Sequence, residues 1–131
     1  MSTTPKSTYR VQLSAEFTLD DAADLVDYLV ELGIDAIYLS PILTATPGSS
    51  HGYDCTDPTT IDPARGGEAG WQRLLAACRS AGLGVVVDIV PNHLGIEVPA
   101  ANPAWWDVLR DGRESPTAPW FDIDWMSRAK S

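Results

Sequence analysis

Cysteine, histidine and positive charge are all scarce in this chain, which has two cysteines, two histidines, and nine Lys and Arg against eighteen Asp and Glu over 131 residues. Cys55 and Cys78 are too few for a disulfide framework, and neither has a Cys or His at zinc-ligand spacing, so both are expected to be free thiols. The formal charge of -9 argues against nucleic acid and anionic membrane as partners, because both reward clustered Lys and Arg. No apolar run approaches the ~20 residues of a membrane span, and residues 1–8 are polar, without the apolar centre of a signal peptide. The expectation is a cytoplasmic protein.

What is present is a hydrophobic content of 44%, enough for one modest core. Tyr9 to Leu13 is a short strand candidate. Thr18 with Asp21 three residues later makes a capping box with Asp in place of Glu. The helix that follows carries Ala22, Leu25, Val26, Leu29 and Leu32 at helical spacing, and Gly33 is placed to close it. Ile34 to Leu39 reads as a strand buried on both faces with Asp35 at its solvent end, and Ser40 to Gly67 as a long connection punctuated by Pro and Gly. Connections of that length usually carry function.

Glu68 to Ala81 reads as a second helix, with Trp71, Leu74, Leu75 and Cys78 on one stripe, Gly82 at its end and a strand over Leu83 to Val90. Two helix-Gly-strand units in a row imply a parallel sheet, with all the loops that follow strands on one face. Residues 91–131 lose this periodicity, hold Trp105, Trp106, Trp120 and Trp125, and read as an irregular excursion.

The run Asp88-Ile89-Val90-Pro91-Asn92-His93 puts a carboxylate, an amide and an imidazole where a buried parallel strand ends, which is where α/β folds build sites. Such a set can orient several hydroxyls of one polar ligand, the chemistry of a sugar site. Upstream, the apolar segment Ala36 to Leu39 ends at Ser40-Pro41 and is followed by His51-Gly52-Tyr53-Asp54, repeating the layout.

With Asp62-Pro63 and Gly66-Gly67, these residues resemble the amino-terminal third of the alpha-amylase family of glycoside hydrolases. Tyr9-Arg10-Val11-Gln12-Leu13, Phe17-Thr18, Tyr38 to Leu43, Pro47-Gly48-Ser49 and Phe121-Asp122-Ile123-Asp124-Trp125 narrow the resemblance to its maltooligosyltrehalose synthase branch. It extends over about residues 8–125; the segments around Ser40 to Leu43 and Phe121 to Trp125 are the selective ones, whereas the run at Asp88 is shared across the superfamily.

The resemblance implies an α/β fold, part of a (β/α)₈ TIM barrel, and 131 residues are too few to close a barrel of ~200 or more. The expected content is about three strands and two helices over residues 1–95, then the start of an insertion over 96–131, with the remainder of the same barrel as the partner. The implied activity is intramolecular glucosyl transfer that turns the reducing-end α-1,4 bond of a maltooligosaccharide into an α,α-1,1 bond. Retaining glycoside chemistry needs a nucleophile and an acid/base about 5 Å apart, and in the family both come from later strands. Neither is therefore expected before Ser131.

By the same resemblance His93 binds a hydroxyl of the transferred ring, Tyr53 stacks beneath that ring with its hydroxyl available, and Asn92 corresponds to a calcium ligand of many amylases. One amide is weak support for an ion that takes six to eight oxygens, so neither metal nor cofactor is expected. Asp88 reads as an organiser whose Arg or His partner is expected from outside the chain. His51 and Asp54 are further sugar contacts, with turn formation almost as good a reading, and the four late tryptophans read as loop pins ahead of sugar platforms. Two other readings stand beside this one: another hydrolase or transglycosylase of the superfamily, and a non-catalytic α/β glycan-binding remnant.

Overall fold

The computed structural model describes residues 4–127. Strand β1 (Thr8–Val11) leads through helix α1 (Leu19–Glu31) to strand β2 (Ala36–Leu39). A hairpin of β3 (Leu43–Ala45) and β4 (Cys55–Ile61), then a 3-10 turn at Pro63–Arg65, precede helix α2 (Gly67–Ala81) and strand β5 (Gly84–Val87). Helix α3 (Pro103–Asp111) follows, among short 3-10 turns.

Local chemistry sets the helix ends where the sequence places them. The Thr18 hydroxyl accepts from the Asp21 amide and the Asp21 carboxylate accepts from the Thr18 amide, so the capping box is complete. Gly82 ends α2 in the left-handed region at φ 71°, where a side chain would be strained. Leu32 departs from the predicted stripe: it is the C-cap of α1 and is 52% exposed, because the chain turns away at Gly33 before another helical turn can bury it.

Strands β1, β2 and β5 form a parallel sheet in that order, with Arg10, Tyr38 and Val86 side by side in register. Alternation along β2 sends Ile37 and Leu39, both fully buried, into the core with Leu19, Leu29, Leu74 and Cys78 of the helices. Arg10, Tyr38 and Val86 therefore share the opposite face, and the Arg10 guanidinium lies 5.8 Å from the centre of the Tyr38 ring. Strand β5 is less buried than its sequence suggests. Val86 is 38% exposed because β5 is the edge of the described sheet and only one of its faces meets the helices.

Two elements were not expected. The connection after β2 contains the β3–β4 hairpin, whose register is irregular between Leu43 and Ala45. In the late segment α3 forms because Asn102 caps it through the Trp105 amide (3.0 Å) and Pro103 occupies its first turn. Ala104, Trp105, Val108 and Leu109 recur at helical spacing over its two turns, a run too short to stand out among the prolines and glycines around it, and only Val108 is buried. Cys55 and Cys78 are buried and free, and burial pushes both thiols up in pKa, away from nucleophilic character. Among the described residues no helix is long and apolar enough to cross a membrane.

Candidate functional site

At the carboxyl ends of β1, β2 and β5, the loops following β2 and β5 are tied together by a chain of hydrogen bonds centred on Tyr53. Its hydroxyl donates to Asp88 Oδ2 at 2.6 Å and accepts from Arg10 Nη2 at 2.8 Å. Its carbonyl accepts from His93 Nε2 at 2.9 Å, and its amide donates to His51 Nδ1 at 3.0 Å. The bond to the Asp88 carboxylate raises the Tyr53 phenol above its ordinary 10.0, against the opposing pull of Arg10.

These contacts assign the imidazole protons. A carbonyl can only accept, so His93 carries its proton on Nε2, and Nδ1 accepts from the Asn92 amide at 3.1 Å. His51 accepts from an amide on Nδ1, so the 3.8 Å approach of that atom to Asp54 is no hydrogen bond. The rings of His51 and Tyr53 stack, 5.9 Å apart and 19° from parallel. Asp54 faces inward instead: it accepts from the Ser49 hydroxyl, which in turn accepts from the Gly52 amide. Burial works to raise the Asp54 carboxyl, but the Ser49 bond and its neighbours outweigh that and hold it below the ordinary value.

Beside this network lies an open cleft of about 630 Å³, walled by Asp88, Asn92 and His93 on one side and by Trp120, Phe121 and Asp122 on another. Of the six predicted site residues, Asp88, Asn92 and His93 line the cleft. Tyr53, His51 and Asp54 do not, and Tyr53 joins it through Asp88 and His93. Trp120 is 61% exposed on the cleft wall, whereas Trp105 packs on Phe121 at 4.9 Å and pins the segment. Among the described residues no group of three or more His, Cys, Asp or Glu is disposed to hold a metal ion.

Residues 6–130 match the catalytic domain of the alpha-amylase family. The chain belongs to that family. It is 56% identical over 91% of its length to the "Putative maltooligosyl trehalose synthase" of Mycobacterium tuberculosis, and 37% identical over 80% to the intracellular maltogenic amylase of Bacillus subtilis. The solved maltooligosyltrehalose synthase of Arthrobacter ramosus superposes on 92% of the chain with a TM-score of 0.90 at 58% identity. The chain spans about 16% of the length of the M. tuberculosis and A. ramosus proteins.

In the alpha-amylase barrel the described elements are three parallel strands and their two crossover helices, and the Tyr53 network sits on the face where such barrels build sites. Two of its members were missed in the sequence. Arg10 lies near the end of β1, in a run that carried the resemblance but no assigned role, and Gln12 donates from Nε2 to the carbonyls of Ser50 and His51, at 3.3 and 3.2 Å. The only signal was their polarity within the run Tyr9 to Leu13. Within the chain Asp88 accepts on Oδ2 from the Tyr53 hydroxyl, with Arg10 behind it, a contact that the sequence reading did not anticipate.

A third missed residue, Arg65, braces the loop from below. It is 2% exposed and donates to Asp62 at 2.6 Å, to the Ser49 carbonyl at 2.8 Å and to the Leu13 carbonyl at 3.3 Å. Gly52 lies against it at φ +82°, and an added Cβ would come within 3.1 Å of the Pro41 carbonyl and 3.4 Å of the guanidinium. Glycine is thus required both by backbone angle and by space.

Proposed function

We propose that this chain is the amino-terminal part of a (1→4)-α-D-glucan 1-α-D-glucosylmutase, a maltooligosyltrehalose synthase. The observation that carries this reading is the 58% identity and 0.90 TM-score to the A. ramosus enzyme, against 37% identity to the B. subtilis amylase. The substrate is a maltooligosaccharide, and the reducing-end α-1,4 bond becomes α,α-1,1. A covalent glycosyl-enzyme forms, the released glucose is held and turned over, and its anomeric hydroxyl attacks in place of water. A held nucleophile wins because its effective concentration is high and solvent is excluded.

In this reading residues 1–95 are barrel wall and 96–131 the start of the insertion after its third strand. The wall supplies sugar contacts through Asp88, Asn92 and His93, with Tyr53, His51 and Asp54 holding the loop beside them. The nucleophile and acid/base are assigned to the remainder of the barrel, so the 131 residues alone have no turnover. The location is cytoplasmic.

Product analysis of the whole-length protein on maltopentaose tests the proposal. A non-reducing product with an α,α-1,1 anomeric signal supports the mutase. Release of glucose or maltose without it supports a hydrolase instead, the reading that the amylase relatives favour.

A further inference from the structure

The phenol of Tyr53 has one proton and it goes to Asp88; the lone pair facing β1 is taken by Arg10. Arg10 is itself held, donating from Nη1 to Gln12 Oε1 at 2.9 Å while its guanidinium lies over Tyr38. The hydroxyl expected to be available to a sugar is therefore engaged on both sides by the protein.

We propose that Arg10 is a positioning residue for Tyr53: by donating to the phenol oxygen it fixes the hydroxyl as a donor to Asp88, so that Asp88 meets the cleft with one oxygen anchored and the other on offer. The geometry supports a division of labour. Asp88 uses only Oδ2 on Tyr53, and among the described residues Oδ1 has no hydrogen-bond partner. A carboxylate with one oxygen anchored presents the other in a fixed direction, which suits a pair of sugar hydroxyls better than a freely rotating group. Arg10 also sets a cation beside that carboxylate without contacting the cleft.

Every charged or titratable group facing Tyr53 enters the test. These are Arg10 from β1, Tyr38 from β2, His51 and Asp54 in its own loop, and Asp88 and His93 after β5. Of these, Arg10 is the cation, and in the 131-residue chain it is exposed, so that its removal there strands no buried group.

The experiment follows Tyr53 in the 131-residue chain by NMR of tyrosine labelled with ¹³C at Cζ, assigned with Tyr53→Phe. Arg10→Met should move the Tyr53 titration to higher pH, because a favourable cation has gone, and Arg10→Lys should restore much of it. Asp88→Asn should move it the other way. An unchanged Tyr53 titration in Arg10→Met overturns the proposal, as does an unchanged one in Asp88→Asn.

The sugar part rests on the function proposed above and is read separately, by titrating maltotetraose into the whole-length protein, where the site is complete. Arg10→Met should weaken binding about tenfold, the scale of one charge-assisted hydrogen bond, with recovery in Arg10→Lys. Equal binding by Arg10→Met and wild type overturns the positioning role. Failure of the whole-length wild-type protein to bind any maltotetraose counts against the sugar reading, while the Tyr53 titration still decides whether Arg10 governs the hydroxyl.

Discussion

Two arginines hold the His51 to Asp54 loop, one from each side, and they live in opposite environments. Arg65 is sealed in the core with Asp62, which is 6% exposed and also accepts from the amides of Ala45 and Ala64. No buried side-chain polar atom among the described residues lacks a partner, so this cluster is fully satisfied. Arg10 is exposed and shares its carboxylate partner through a phenol. Within the 131 residues the same Arg and Asp chemistry is sealed from water at Arg65 and open at Arg10, which stands on the sheet face opposite the helices, the interior face of a (β/α)₈ barrel. A satisfied buried pair costs most when one member is removed, whereas an exposed network can exchange a protein contact for a ligand hydroxyl.

The largest test of that contrast is Arg65→Met, which strands the Asp62 carboxylate and the Ser49 and Leu13 carbonyls. The expected loss is about 3–5 kcal/mol in urea unfolding, as for other broken buried pairs. A loss under about 1 kcal/mol would break the comparison. Next in size is Gly52→Ala, which combines a left-handed backbone angle with a 3.1 Å approach to the Pro41 carbonyl. It should cost about 2 kcal/mol by the same measurement, mostly from the backbone term.

The matching substitution Arg10→Met should change stability by about 0.5 kcal/mol or less, in keeping with exposed ion networks. A loss as large as that of Arg65→Met would show that both arginines are framework. The smallest effects are expected in the pH dependence. The Tyr53 phenol is raised in the folded state, so its contribution is complete below the ordinary 10.0 and is lost as pH rises through the folded value. The Asp54 carboxyl is lowered, so its contribution is present above the ordinary 3.8 and is lost as pH falls through the folded value. Unfolding curves between those limits should be flat with respect to both groups, and Tyr53→Phe should remove the alkaline component alone.

Local patterns were legible. The capping box at Thr18 and Asp21, the glycine closing α2 and the apolar strand β2 all depend on neighbours within four residues, which periodicity reports directly. The β3–β4 hairpin was not, because β3 is three residues long and its register shifts twice. Helix α3 was hidden for a different reason. Its apolar stripe spans only nine residues between Pro- and Gly-rich turns, too short to register as the longer periodic runs of the first two helices do.

The candidate site divides along the same line. Asp88, Asn92 and His93 stand together in sequence, and they reach one cleft because β5 ends at Val87, before the Val90 that the apolar run suggested. Tyr53 meets Asp88 across 35 residues and Arg10 across 43, and Arg65 meets Leu13 across 52. Whether a tyrosine hydroxyl faces a ligand or is consumed by the protein depends on those distant partners.

By itself, then, the sequence determined the parallel strand-helix order, the places where the regular elements stop and the family to which the chain belongs, because each rests on local periodicity, capping or contiguous motif residues. Only the tertiary structure decided which polar side chains are framework and which are site. That choice turns on exclusion of water and on hydrogen bonds closed between segments that only folding brings together.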